Sequence, residues 1–430
     1  MKRFQHILLA SPRGTRRRQR DRYRSLSDTD RGKRKERVDM HTVRIYRLDH
    51  LSTKLFQRLK AAQMEAAEVW NTCCELHKEA RQTRSMWPGQ SELDQATKRR
   101  FALYAQSVQK VVRVFLANVE TARRLRKTNP KIRYPWKTKR FYPVMWPAQA
   151  VYRQSGRVIL PMGRGRASIV LPLDLPENSG ACTLVWNRGF ELHVCIEVPQ
   201  AEHAPGKNRA TVDLGEIHLA TVTTNTDAAI VISGRGIRSL KRQRNMRHRQ
   251  LAKKQARCQK YSRRWKKLQR AKNKMVCRIE RRVRDLRHKA TRQAIEFCKQ
   301  EQVGTLFIGN PHGVRQENRG RYHNQRMAQW EYGKDIDYLT HKSTQARIES
   351  FTGSERGTSS QCPVCRHKHK PKGRVWKCRK CGFRGHRDIV GSVNMHRLAY
   401  DEQVTFPRSI TYLRPGPSRR SRRAGTPHAS

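Results

Sequence analysis

Four cysteines carry the first chemistry that this sequence offers. Cys362-Pro-Val-Cys365 is followed by twelve residues and then by Cys378-Arg-Lys-Cys381. Two Cys-x-x-Cys knuckles at that spacing supply four soft thiolates for the corners of a tetrahedron, the arrangement zinc takes in a closed structural site. Four thiolates leave no open coordination position, so the expected zinc organises structure and does not cut. Turn-forming residues around the knuckles and the short strand RVWKC between them fit a zinc ribbon. The other seven cysteines, Cys73, Cys74, Cys182, Cys195, Cys258, Cys277 and Cys298, are scattered, as reduced cytosolic thiols are.

Acids are scarce here, and two stand out by context. Asp213 lies in the apolar run TVDLGEIHLATV, where an ionised carboxylate is costly unless it is paired or holds a metal. By itself it also fits a turn residue at a strand end. Asp388 lies in GHRDIVGSVNMHRLA directly after the second knuckle, with Gly391, Ser392 and Met395 on neighbouring helix positions. Alone it fits the first-turn acid of a helix, where negative charge is favoured.

The elements that must hold these residues follow from periodicity. HTVRIYR at 41–47 alternates as a strand, and 53–126 shows helical spacing. Short β-type runs follow (KIRYPW, AVYRQSGRVILP, ASIVLPL, CTLVW, FELHVCIEVP), which predicts a small antiparallel barrel over 41–52 and 127–205, interrupted by a helical insert at 53–126. Residues 210–224 and AAIVISG predict two strands joined by a turn, 238–302 a long basic helical crossover, and TLFIG a further strand. The fold class is therefore α/β and mixed, in several domains, with a catalytic α/β domain over 206–357 and 386–406 around a ribbon at 358–385. Leu268, Val276, Ile279, Val283 and Leu286 repeat as a packing face on the crossover.

Charge narrows the partners. The 430 residues hold 94 Lys and Arg against 34 acids, a formal charge of +60. A field of that size attracts a polyanion, through counterion release that weakens with salt. The excess persists through 98–140, 234–292 and 366–387, so it does not belong to the tails alone. Residues 1–40 and 407–430 read as disordered basic extensions. Tyr134, Trp136, Lys137, Lys139, Arg140, Phe141 and Tyr142 interleave rings with bases, suited either to stacking on a single strand or to a barrel core with a basic rim. No run of about twenty apolar residues and no secretory pattern occurs, which predicts a cytoplasmic protein with no membrane partner.

The strand TVDLGEIHLATV, the crossover segment LRHKATRQAIEFC, the strand LFIG, the phrase GTSSQCPVC, the knuckle CRKCGF and the closing HRDIVGSVNM stand in the order seen in TnpB proteins. The chain resembles that family, insertion-sequence-encoded nucleases related to type V CRISPR effectors, with specific motifs over about 205–400 and in texture alone over 41–204. The resemblance implies an RNase H-like RuvC domain holding three acids around Mg2+, a barrel acting as a wedge domain and a helical recognition lobe. It implies a guide RNA from the transposon end, a double-stranded DNA target cut beside a short flanking motif, and a prokaryotic cell in which the protein sits at the nucleoid.

In that mapping Asp213 is the first-strand acid and Asp388 the acid after the ribbon. Where most of the family has a glutamate ending the middle strand, this chain reads Ile308-Gly309-Asn310-Pro311. Either the site is dead and the protein is a guided DNA-binding repressor, or another glutamate reaches the metals, as in the Fanzor-like relatives. Glu355 in SERGTSSQC is the first candidate and Glu349 in ARIES the second, while Glu216, Asp335 and Asp337 stand outside. Arg387 is expected near the scissile phosphate, with Thr358 and Ser359 as further phosphate contacts. A transposase, or an accessory to one, is the third reading, though no His-hydrophobic-His motif or well-placed tyrosine supports it.

Overall fold

The computed structural model describes residues 40–203, 205–311, 318, 320–369 and 373–416. The extension expected before residue 40, and the tail beyond 416, lie outside the described residues.

Strand β1 (Met40–Arg47) leads into helix α1 (Thr53–Gln82), started by Ser52, whose side chain accepts from the Leu55 N–H at 3.2 Å. Helices α2 (Gln90–Thr97) and α3 (Ala105–Thr128) complete the expected helical insert. The chain then forms β2 (Val144–Trp146), β3 (Tyr152–Gln154), β4 (Arg157–Leu160), β5 (Ile169–Leu171), β6 (Ser179–Trp186) and β7 (Phe190–Val198). β1 pairs antiparallel with all of β7, from Met40 opposite Val198 to Arg47 opposite Glu191, so strands on either side of the insert share one sheet. That sheet runs β1-β7-β6-β2, and β3-β4-β5 forms a second one. The run KIRYPW, expected as β-type, is irregular: its rings pack against helices and its backbone joins no ladder. Insert and sheets close over one apolar core that includes Trp70, Phe115, Trp146, Leu160 and Leu184.

The segment 210–233, expected as two strands, makes three: β8 (Asn208–Asp213), β9 (His218–Thr224) and β10 (Ala228–Ser233). The apolar run is broken at 214–217, where the Gly215 N–H bonds back to the Leu219 carbonyl at 3.4 Å. The crossover is likewise two helices, α4 (Arg235–Ala256) and α5 (Arg263–Gln300). Ser262 restarts the helix by accepting from the Trp265 N–H, and contacts such as Gln255 to Gln269 and Arg244 to Glu280 fold the pair into an antiparallel hairpin. Then come β11 (Val303–Asn310), α6 (Arg321–Gln329), α7 (Tyr332–Gln345), β12 (Glu349–Ser354), the ribbon strands β13 (Val375–Lys377) and β14 (Arg384–His386), and α8 (Arg387–Tyr400). The expected tail begins with order: β15 (Ser409–Leu413) pairs parallel with β10. The six-stranded sheet runs β12-β11-β8-β9-β10-β15, with β8, β11 and β12 parallel.

Side-chain alternation along these strands sets up the two faces of the sheet. Ala210, Val212, Leu306 and Ile308 pack with Ile279, Val283 and Leu286 of α5. Their odd-numbered neighbours Thr211, Asp213, Thr221 and Thr223 turn toward α8. Ser392 of α8 is fully buried there, its hydroxyl within 2.9–3.2 Å of the Thr211 and Thr221 carbonyls and the Thr211 and Thr223 hydroxyls. A buried hydroxyl cluster of this kind fixes how the helix crosses the sheet, because misplacement would leave polar groups unpaired. Among the described residues no helix is long and apolar enough to cross a membrane.

Candidate active site

Three parallel strands end together. Asp213 closes β8; Val212 pairs with Ile308, and the next residue of β11 is Gly309, itself opposite Gly353 of β12. Glu355 follows β12 directly. The carboxyl ends of parallel strands are where open α/β sheets leave a crevice for ligands. Gly309 has no side chain, and the space is taken: a Cβ there would lie 2.5 Å from Oε2 of Glu355 and 2.9 Å from Cε of Met395. The Glu355 carboxyl group, arriving from the neighbouring strand, thus occupies the space that a side chain at Gly309 would take. Glu349 is exposed at the opposite end of β12, beside Thr305, roughly 20 Å of extended strand away.

Helix α8 crosses above these ends through the residues its spacing singled out. Asp388 is in its first turn, after His386, whose ring nitrogen accepts from the Asp388 N–H. A Cβ at Gly391 would come within 2.5 Å of Oδ2 of Asp213, so only glycine lets the helix lie on that carboxylate. Met395 reaches Gly309 one turn on.

The three acids do not share one electrostatic state. Burial, then the negative charges of Glu355 and Asp388, push Asp213 well above the usual carboxylate range, against Arg387 and Arg374. Burial pushes Glu355 up to about 7, and its Oε2 is buried with no hydrogen-bond partner. Burial would raise Asp388 too, but its hydrogen bond from His218 and the charge of Arg374 hold it below the ordinary value. His218 Nδ1 lies 2.7 Å from Asp388 Oδ2, and Arg374 Nη1 reaches Oδ1 and Oδ2 at 3.0 and 2.8 Å. Two buried acids that repel each other, one with an orphaned oxygen, fit a divalent cation, which would restore the ionised forms of both.

His218 and Arg374 were not singled out in the sequence. A lone histidine after a turn and one arginine among many in a basic ribbon carry no periodic or spacing signal. Thr358 and Ser359, expected on phosphate, support the site from within: the Thr358 hydroxyl donates to the Glu355 carbonyl at 2.9 Å, and the Ser359 carbonyl accepts from Trp376 Nε1 at 3.2 Å. Asp335 and Arg287 form an ion pair at 2.5 Å, each 1% exposed.

The four ribbon cysteines converge. Their sulfurs all lie within 4.8 Å of one another, Cys362 to Cys381 at 3.7 Å and Cys365 to Cys378 at 3.4 Å. Corners of a tetrahedron about 2.3 Å from a metal are roughly 3.8 Å apart, so the donor set fits zinc. Each knuckle turns at the residue after its second cysteine, Arg366 at φ 61° and Gly382 at φ 74°.

Among the residues expected on nucleic acid, Tyr142 is buried and Tyr134 and Trp136 are half-buried, while Phe141 is 41% exposed. Tyr134 and Trp136 stack on each other at 4.9 Å, and the guanidinium groups of Arg126 and Arg81 cover them at 5.1 and 5.5 Å. Lys139 Nζ sits 3.1 Å above the Trp70 ring centroid, where burial lowers its pKa to about 8, so it is a structural cation. Lys137 and Arg140 are exposed. A groove of about 660 Å³ between the β8–β9 turn, α4 and α6 is lined by Arg235, Arg238, Arg242, Arg249 and Arg326, with Tyr322 80% exposed at its rim. Glu216 bridges its walls, 3.3 Å from Arg238 and 3.6 Å from Arg326.

Comparison with known proteins agrees with this architecture. Residues 193–315 match the OrfB_IS605 family, described as "Probable transposase", which is the TnpB model, and residues 332–395 match the Cas12f1-like TNB domain. A solved Cas12f1 in complex with an sgRNA and target DNA superposes with a TM-score of 0.57 at 15% identity, over 79% of this chain and 82% of that one. The mini-RNA-guided endonuclease Cas-phi3 superposes at 0.49 and 11% identity, over 86% and 94%. No curated protein matches. The TnpB resemblance carried by the motifs therefore holds, and the Cas12f1 likeness shows the fold.

Proposed function

We propose that this relative of the TnpB and Cas12f proteins is an RNA-guided DNA endonuclease whose RuvC-like site uses Asp213, Glu355 and Asp388 to hold divalent metal, with Glu355 in place of the acid missing at Gly309. The observation that carries the reading is the Glu355 carboxyl group lying over Gly309, beside Asp213, with an unsatisfied buried oxygen. A retired site would have no reason to keep two repelling carboxyl groups under a close-packed helix. Bound Mg2+ would supply a water nucleophile at neutral pH and Lewis acidity at the phosphoryl oxygen. Asp213 and Glu355 would hold the ions from the sheet and Asp388 from the helix, while Arg387 lowers the cost of gathering negative charge. The ribbon cysteines would take zinc.

Target selection would fall to a guide RNA from the transposon end, with base pairing reading the DNA and the protein reading backbone shape and a short flanking motif. The wedge and recognition roles of the N-terminal sheets and helices belong to this proposal. The test is cleavage of a plasmid library by chain co-purified with its element-end RNA, with Mg2+, for wild type, Asp213→Asn, Glu355→Gln and Glu349→Gln. Cutting lost in the first two variants and kept in the third supports the reading. Stable guided binding without cutting by wild type would favour the repressor instead, and element excision without RNA would favour a transposase.

A further inference from the structure

Both carboxylate oxygens of Asp388 are already engaged: Oδ2 by His218 and by Arg374, Oδ1 by Arg374. His218 comes from the catalytic sheet and is 12% exposed; Arg374 comes from the ribbon and is 43% exposed. The backbone of Arg374 is pinned where it stands, because its carbonyl accepts from the Arg387 N–H at 2.8 Å, one residue before the acid. The arginine therefore arrives from the solvent side with an anchored backbone and a half-exposed head group. A divalent cation at Asp388 needs one of the oxygens that the guanidinium occupies, and it would meet a positive charge at close range. An arginine fork binds phosphate bidentately as well as it binds a carboxylate.

We infer that Arg374 is a phosphate-positioning residue of the nuclease site, parked on Asp388 until a nucleic-acid phosphate takes it over and frees that carboxylate for metal. The inference rests on the nuclease reading above. His218 stays in place through the exchange, holding Oδ2 while Oδ1 turns to the ion. Metal and substrate then load together: each removes an obstacle to the other, and the linkage is reciprocal. Without nucleic acid the site is held short of its metals.

The test measures Mn2+ binding, by the electron paramagnetic resonance signal of the free ion, to the full-length zinc-loaded chain without RNA or DNA. Relieving one like charge at close range in a half-buried site should tighten Mn2+ binding in Arg374→Gln by about tenfold or more. Arg374→Lys, which keeps the charge, should stay as weak as wild type. Adding an uncleavable phosphorothioate single strand should tighten Mn2+ binding in wild type and change it little in Arg374→Gln. Unchanged or weaker Mn2+ binding in Arg374→Gln overturns the inference. Asp213→Asn separates the two readings: if it abolishes Mn2+ binding while Arg374→Gln has no effect, only the inference about Arg374 falls. If Asp213→Asn leaves Mn2+ binding intact, the ion is not at this site and both readings fall.

Discussion

At the scale of the residue, the site turns on one exchange between neighbouring strands. Gly309 and Glu355 compete for the same space, so the two positions have to be read together. Gly309→Ala should displace the Glu355 carboxyl group and slow cleavage although it removes no functional group, whereas Glu355→Gln should cost about a thousandfold, near 4 kcal/mol of transition-state stabilisation. The double exchange Gly309→Glu with Glu355→Gly returns the acid to the middle strand and should recover more activity than either single change, as plasmid cleavage rates would reveal. The same acids set a pH dependence. Asp213 and Glu355 titrate above their ordinary values in the folded protein, so the stability they contribute is intact below the unfolded values, about 4. It is lost as pH rises through the folded values, which for Glu355 is about 7. Metal-free wild type should therefore gain about 1–3 °C in Tm at pH 8 from Asp213→Asn, and almost nothing at pH 4. A larger gain at pH 4 than at pH 8 would reverse the assigned direction of the shifts.

At the scale of the element, the ribbon is more than a neighbour of the site. Glu355 stands seven residues before Cys362 and Asp388 seven after Cys381, so the four cysteines close a loop whose two ends carry two of the three acids. Asn394 of α8 ties the entry down, its amide donating to the Thr358 and Gln361 carbonyls at 2.7 and 2.8 Å. Zinc holds such a fold together only while it is bound. Cys378→Ser with Cys381→Ser should thus slow plasmid cleavage by about tenfold or more, as loss of groups supporting metal ligands does, and leave the helical circular dichroism of α1, α3 and α5 nearly intact. The knuckles, β8 and β11 were legible in the sequence because spacing and alternation are local. The close approach of Glu355 to Gly309 was legible as a candidate only, since it depends on the parallel register of β11 and β12, which no local pattern carries. β15 was hidden for a related reason: SITYL lies in a basic tail, and its strand character comes from the open edge of β10. The break between α4 and α5 was missed because charge runs unchanged through 257–262, and only Ser262 marks the new start.

At the scale of the whole molecule, the charge of +60 divides into two populations with different work. Some cations are internal. Arg287 is 1% exposed and pairs with Asp335, Lys241 pairs with Glu331 at 3.1 Å, and Arg244 pairs with Glu280, all bracing the helices behind the sheet. Others, such as Arg242, Arg247, Arg249 and Lys253 on α4, are exposed on a helix of nine Lys and Arg and no acid. Composition alone could not separate the two, because burial depends on which face of each helix meets the sheet. The division predicts opposite phenotypes for equal losses of charge. Arg287→Gln leaves Asp335 buried without its partner and should cost about 3–5 kcal/mol of stability, seen in denaturant unfolding, with little change in how RNA affinity responds to salt. Changing the four exposed α4 residues to Gln should leave stability within about 0.5 kcal/mol per site. It should flatten the logarithmic dependence of RNA affinity on salt by about 0.7 for each phosphate no longer neutralised, close to 3 if all four side chains touch the backbone. An unchanged slope would remove α4, and with it the groove beside Glu216, from the RNA-binding surface and shift the polyanion-binding role to other basic segments, the exposed Lys137 and Arg140 first among them.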